Sequence, residues 1–139
     1  MPKRETVHAT SIAIDGRAVL LMGPSGAGKS DLALRLIDRG ATLVSDDYTD
    51  LSTDGELLLA SPPATIAGRM EVRGIGIVAT PFTASAPVAL VVHLDALVER
   101  MPEPATYTLA ERVVPAISLD PFEASAPIKL ELALRRISP

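Results

Sequence analysis

Gly23-Pro24-Ser25-Gly26-Ala27-Gly28-Lys29-Ser30 fits the pattern G-x-x-x-x-G-K-[ST] at every fixed position. The residue types answer to the chemistry of holding a triphosphate. Glycines let the backbone bend into a nest of N–H groups around anionic oxygens, and a following helix aims its positive end at the same point. Lys29 is then set to reach the β- and γ-phosphates of a nucleotide, and the Ser30 hydroxyl to ligate Mg²⁺. The flanks agree with this reading. Arg17-Ala18-Val19-Leu20-Leu21-Met22 is a short apolar run that reads as a buried strand, and Lys29 to Arg39 reads as a helix. Leu32 with Leu36, and Ala33 with Ile37, stand at i, i+4 spacing and bury one helix face, leaving Arg35, Asp38 and Arg39 towards water.

Upstream, Thr6 to Ile14 is rich in Val, Ile and Thr and favours a strand, and Asp15-Gly16 follows it. An Asp-Gly pair between apolar runs marks a hairpin, because both central residues of a type I′ turn need positive φ. Val7 to Ile14 is therefore predicted to pair antiparallel with Arg17 to Met22, which brings His8 beside the phosphate loop. Downstream, Gly40 stops the helix and Ala41 to Ser45 forms a strand that delivers Asp46-Asp47. A carboxylate at that place binds Mg²⁺ or, close to an acceptor, takes its proton. Adjacent strand residues point to opposite sides, so the two aspartates are expected to do different work.

Leu51 to Leu59, broken at Thr53-Asp54-Gly55, reads as a second hairpin ended by Pro62-Pro63, with Ala64 to Met70 irregular. Glu71 to Val78 has a strand pattern interrupted by Gly74 and Gly76, the mark of a bulge or of close backbone approach. Glu71 and Arg73 then share a face, from which Glu71 is able to ligate the metal held by Ser30. Val88 to Leu94 is a buried strand with His93 as a structural residue at its end, and Glu99 to Pro104 is turn-like. Thr106 to Leu109 and Ala116 to Leu119 are short strands, and Ala126 to Ile137 is an amphipathic helix with Pro127 in its first turn. The class is α/β, a mixed sheet with few helices.

Composition sets the bounds. A chain of 139 residues with 47% hydrophobic content makes a single domain, 1–139, whose core is aliphatic because aromatics are only 3% and Trp is absent. The absence of cysteine removes disulfides and thiolate metal sites. A net charge of −4 with no Lys/Arg block argues against a nucleic-acid partner. No apolar run is long enough to span a membrane, and the first twenty residues carry no export-type segment, so a cytoplasmic location is expected.

Val7-His8, the Gly23 to Ser30 loop, Arg39-Gly40 with Leu43-Val44-Ser45-Asp46-Asp47, and Glu71-Val72-Arg73-Gly74-Ile75-Gly76-Ile77 together carry a resemblance. The chain is similar over residues 5–100 to the catalytic domain of the HPr kinase/phosphorylase family, in a short form without the N-terminal domain of longer members. The resemblance implies an ATP- and Mg²⁺-dependent kinase that phosphorylates a serine of HPr, the small phosphocarrier of the sugar phosphotransferase system, and a homo-oligomer, since relatives are hexamers. It implies that an aspartate of Asp46-Asp47 is the general base, with Asp46 preferred, and that His8 orients it. Ser30 and Glu71 are implied to hold Mg²⁺, Lys29 to neutralise the β- and γ-phosphates, and Arg100 to stabilise the transferring group. Arg73 is counted with these catalytic residues.

One region departs from the family pattern. Pro121-Phe122-Glu123-Ala124-Ser125-Ala126-Pro127 stands where longer members carry a Pro-Gly-Arg-Asn type loop tied to dephosphorylation. The expectation is therefore an enzyme biased towards the kinase direction. A phosphate-loop kinase of small molecules and a non-catalytic nucleotide sensor are the alternatives.

Overall fold

The computed structural model describes residues 2–137, with the elements β1 (Arg4–Val7), β2 (Ala9–Ile14), β3 (Arg17–Met22), α1 (Lys29–Asp38), β4 (Thr42–Ser45), β5 (Thr49–Asp54), β6 (Leu57–Ser61), β7 (Arg69–Val72), β8 (Gly76–Ala79), β9 (Ala86–His93), β10 (Ala105–Leu109), β11 (Arg112–Ser118) and α2 (Ala126–Arg135). A nine-stranded mixed sheet runs β1-β5-β6-β9-β3-β2-β4, with β11 also pairing on β9 and β10 on β11. The first hairpin forms as its sequence dictates: Asp15 (φ +51) and Gly16 (φ +78) both take positive φ, and Ala9 to Ile14 pair with Met22 to Arg17. The strand expected from Thr6 is broken at His8. Residues 4–7 leave it and pair with β5, so the chain turns at the histidine.

Alternation along β3 builds two cores. Val19 and Leu21 join Leu32, Leu36, Leu90, Val92, Leu130 and Leu134 beneath the helices. Ala18 and Leu20 face the other way, onto Leu51, Leu58, Ala60, Val91 and Val114, where β5, β6 and β11 close over the sheet. Arg17 fastens α2 at its last turn, its guanidinium donating to the carbonyls of Ile137 (3.1 Å) and Leu134 (3.4 Å). Leu36 is fully buried among these contacts. Leu36→Ala is expected to cost about 2–5 kcal/mol, read as a lower urea midpoint at unchanged slope.

Three expectations need correction. Glu71 to Val78 is not one bulged strand: β7 and β8 form a separate two-stranded hairpin, with Val72 opposite Gly76. Gly74 (φ +87) occupies the third position of a β-turn closed by Ile75 N–H on the Val72 carbonyl at 3.0 Å. Arg73 therefore lies in the turn and does not share a strand face with Glu71. Arg69 and Met70, expected to be irregular, begin that hairpin. Finally, Arg35 does not simply face water but donates to Asp31 (3.1 Å) and to the carbonyls of Pro121 and Glu123, tying the approach of α2 to α1.

Candidate active site

Strand direction brings the chemistry to one rim of the sheet. β3 and β9 are parallel, and β4 runs with them because it is antiparallel to β2, which is antiparallel to β3. The C-terminal ends of β3, β4 and β9 and the N-terminal end of β2 thus meet. They deliver the phosphate loop, Asp46-Asp47, Asp95 and His8 respectively.

The loop is shaped by its glycines. Gly26 (φ +87) and Gly28 (φ +93) occupy left-handed backbone, and a Cβ on Gly23 would come within 2.8 Å of Ala27 Cβ. Ala27 N–H closes the turn on the Pro24 carbonyl at 3.0 Å, leaving Ser25 at the outer rim of the cleft. Gly28 caps α1 without a side-chain hydrogen bond, so the first N–H groups of the helix are open to an anion. Lys29 is only 5% exposed, and its Nζ donates to the carbonyls of Gly23 (2.7 Å) and Pro24 (3.1 Å). Burial holds its ammonium below the ordinary lysine pKa, while the charges of Asp47, Asp46 and Asp95 pull the other way.

The two aspartates have separate surroundings. Asp46 is 6% exposed; its Oδ1 accepts from Ser30 Oγ (2.6 Å) and Thr10 Oγ1 (3.2 Å), and its Oδ2 from Glu71 N–H (2.9 Å). Asp47, held at φ +67, keeps its side chain half exposed. Its Oδ1 is 2.8 Å from His8 Nε2 and 4.0 Å from Lys29 Nζ. The His8 ring stacks on Tyr48, with centroids 5.0 Å apart and planes 20° from parallel.

Lys29, Ser30, Asp47, Glu71 and Arg73 line a cleft of about 820 Å³ between the phosphate loop and the β7–β8 hairpin. Arg100 is not brought into it. That residue is exposed on the connection from β9 to β10 and lines a neighbouring depression with Asp95, Asp120 and Lys129. Sequence reasoning missed Thr10, Tyr48 and Asp95. Thr10 had a signal: it stands two residues from His8 in the strand expected from Thr6 to Ile14, where alternation puts both on one face, and it is a polar residue in an apolar run. Asp95 had only the end of a buried strand to mark it.

Among the described residues no three His, Cys, Asp or Glu side chains converge as a metal cage. The hydroxyl of Ser30 and the carboxylate of Asp46 form an all-oxygen donor set. That set suits Mg²⁺, which takes one or two carboxylates and keeps waters and phosphate oxygens for the rest.

Fold and site together define an α/β protein with a glycine-rich loop of phosphate-binding type at one rim of its sheet. Residues 1–102 match the family model of the HPr Serine kinase C-terminal domain, and the chain belongs to that family. It is 42% identical over 98 residues to the HPr kinase/phosphorylase of Listeria welshimeri, covering 65% of this chain and 31% of that one. It is 43% identical over 101 residues to the HPr kinase/phosphorylase of Enterococcus faecalis, covering 67% and 32%. The chain thus spans about a third of the length of the curated relatives it matches. The solved Hpr(Ser) kinase/phosphatase of Coxiella burnetii superposes with a TM-score of 0.82 at 29% identity, over 95% of each chain. The fold class and the family expected from sequence are both borne out.

Proposed function

We propose that the chain is an ATP- and Mg²⁺-dependent protein-serine kinase acting on HPr or an HPr-like phosphocarrier. The observation that carries this reading is the His8–Asp47–Lys29 cluster beside the phosphate loop. The roles divide by environment. Asp46 is buried and has its oxygens taken by three donors, so it belongs with Ser30 on the metal side. Asp47 is the carboxylate accessible to an incoming hydroxyl, and it replaces Asp46 as the preferred base. Asp47 takes the serine proton as the serine oxygen bonds to the γ-phosphorus, and the bond to the β–γ bridging oxygen breaks to leave ADP. His8, braced on Tyr48, orients the Asp47 carboxylate. Lys29 moves from the loop carbonyls to the phosphates. Ser30, Asp46 and Glu71 would hold Mg²⁺, which when bound would supply charge neutralisation on the phosphate oxygens.

In the forward test, purified chain is incubated with γ-labelled ATP, Mg²⁺ and HPr-like phosphocarriers, and the expected result is acid-stable label on serine. No transfer to any such acceptor, with nucleotide still bound, would overturn the reading. In the reverse test, phosphoserine-HPr with excess inorganic phosphate is expected to give pyrophosphate only slowly. Glu123 stands where the resemblance implies an arginine-bearing loop in longer members, although Lys129 shares its charge at 2.8 Å.

A further inference from the structure

Phe122 is 73% exposed, yet it is not on a loose loop. Its N–H donates to Asp120 Oδ1 at 3.0 Å, and Glu123 N–H to the Asp120 carbonyl at 3.3 Å. The Arg35 guanidinium, braced by Asp31, grips the carbonyls on both sides of it, Pro121 and Glu123. Glu123 is in turn pinned by Lys129. A segment fastened at so many points holds a large apolar ring out in water, where it forfeits the gain of burial. The ring stands against the phosphate loop: a Cβ on Gly28 would meet Phe122 Cε1 at 3.4 Å and Pro121 Cγ at 3.1 Å.

The same cleft that holds Lys29, Ser30 and Asp47 is lined also by Leu34, Ile75 and Phe122. One molecule therefore meets both a charged and an apolar surface there. A nucleoside triphosphate has that division: its phosphates fit the loop, and its base, carried beyond the α-phosphate, needs a flat apolar platform. We infer that Phe122, positioned by the Arg35 strap, is the stacking platform for the nucleobase. This rests on the nucleotide reading of the site and adds the part of the chain that grips the base.

The test compares ATP with inorganic tripolyphosphate, which has the phosphates and no base, by calorimetric titration of the whole chain with Mg²⁺. Wild type is expected to bind ATP more tightly than tripolyphosphate. Phe122→Ala is expected to weaken ATP by about tenfold or more while leaving tripolyphosphate unchanged, and Phe122→Trp to restore ATP affinity. An exposed ring contributes little to the core, and circular dichroism and the urea midpoint of each variant check the fold. Unchanged ATP affinity in Phe122→Ala overturns the inference, as it would if a second protein chain covers this ring. So does a parallel loss of both ligands, which would make Phe122 a brace for the loop. If wild type binds neither ligand, the nucleotide reading itself fails and the platform with it.

Discussion

Asp47→Asn lowers phosphoryl transfer by about 10²–10⁴-fold and leaves ATP affinity near that of the unmodified chain, the expected outcome for loss of a general base. The amide keeps the shape and one acceptor oxygen for His8 but has no carboxylate to take the serine proton. Asp46→Asn is expected to behave differently. Its carboxylate accepts from Ser30, Thr10 and the Glu71 amide at once. An NH₂ group in place of Oδ2 sets a donor against the Glu71 amide, and in place of Oδ1 it forces the Ser30 and Thr10 hydroxyls to turn from donors to acceptors, so stability and Mg²⁺ dependence should both suffer. Single-turnover transfer rates, ATP affinity and the Mg²⁺ concentration for half-activity separate the two variants. An active Asp47→Asn beside an inactive, well-folded Asp46→Asn would reverse the roles.

Lys29→Met is expected to reduce transfer by about 10²–10³-fold, the scale of losing one preorganised charge aimed at the transition state. Its effect on stability should have the opposite sense. The lysine pKa is lowered in the folded chain, so the unfolded state binds the proton more readily. Below the folded pKa both states are charged and the folded state bears the full desolvation cost, which fades as pH rises towards the unfolded value. At neutral pH that cost is present, and an apolar side chain of similar length removes it. Lys29→Met in the absence of nucleotide should melt no lower than the unmodified chain, and any gain should shrink at alkaline pH. A variant that melts much lower would show that the ammonium braces the free loop through Gly23 and Pro24.

What was legible in the sequence followed from local rules that tertiary contacts did not override. The Asp15-Gly16 turn, the loop and the apolar faces of α1 are determined by backbone sterics and a period of 3.6, and all three formed as read. The position of His8 beside Lys29 followed from counting along a hairpin whose turn fixes its register. The β7–β8 hairpin was misread because Gly74 and Gly76 suit a bulge and a reversal equally well, and only pairing decides between them. The turn at Ala110-Glu111 has positive φ at both residues without a glycine or asparagine to announce it. The different surroundings of Asp46 and Asp47 depend on burial and on donors from β2, α1 and β7. Arg100 was assigned by resemblance in a stretch with little local pattern, and no periodicity could say which depression it would line.

Thr10 has one hydroxyl proton, and that proton is committed to Asp46 while the oxygen receives the Asp47 amide. The carboxylate of Asp46 and the backbone that carries Asp47 are therefore tied through a single atom. Substitutions at the two aspartates will be epistatic, with couplings on the scale of about 0.5–3 kcal/mol seen for residues that share one network. A lineage altering the surroundings of one aspartate without the other must first change a buried threonine on the strand whose start also delivers His8.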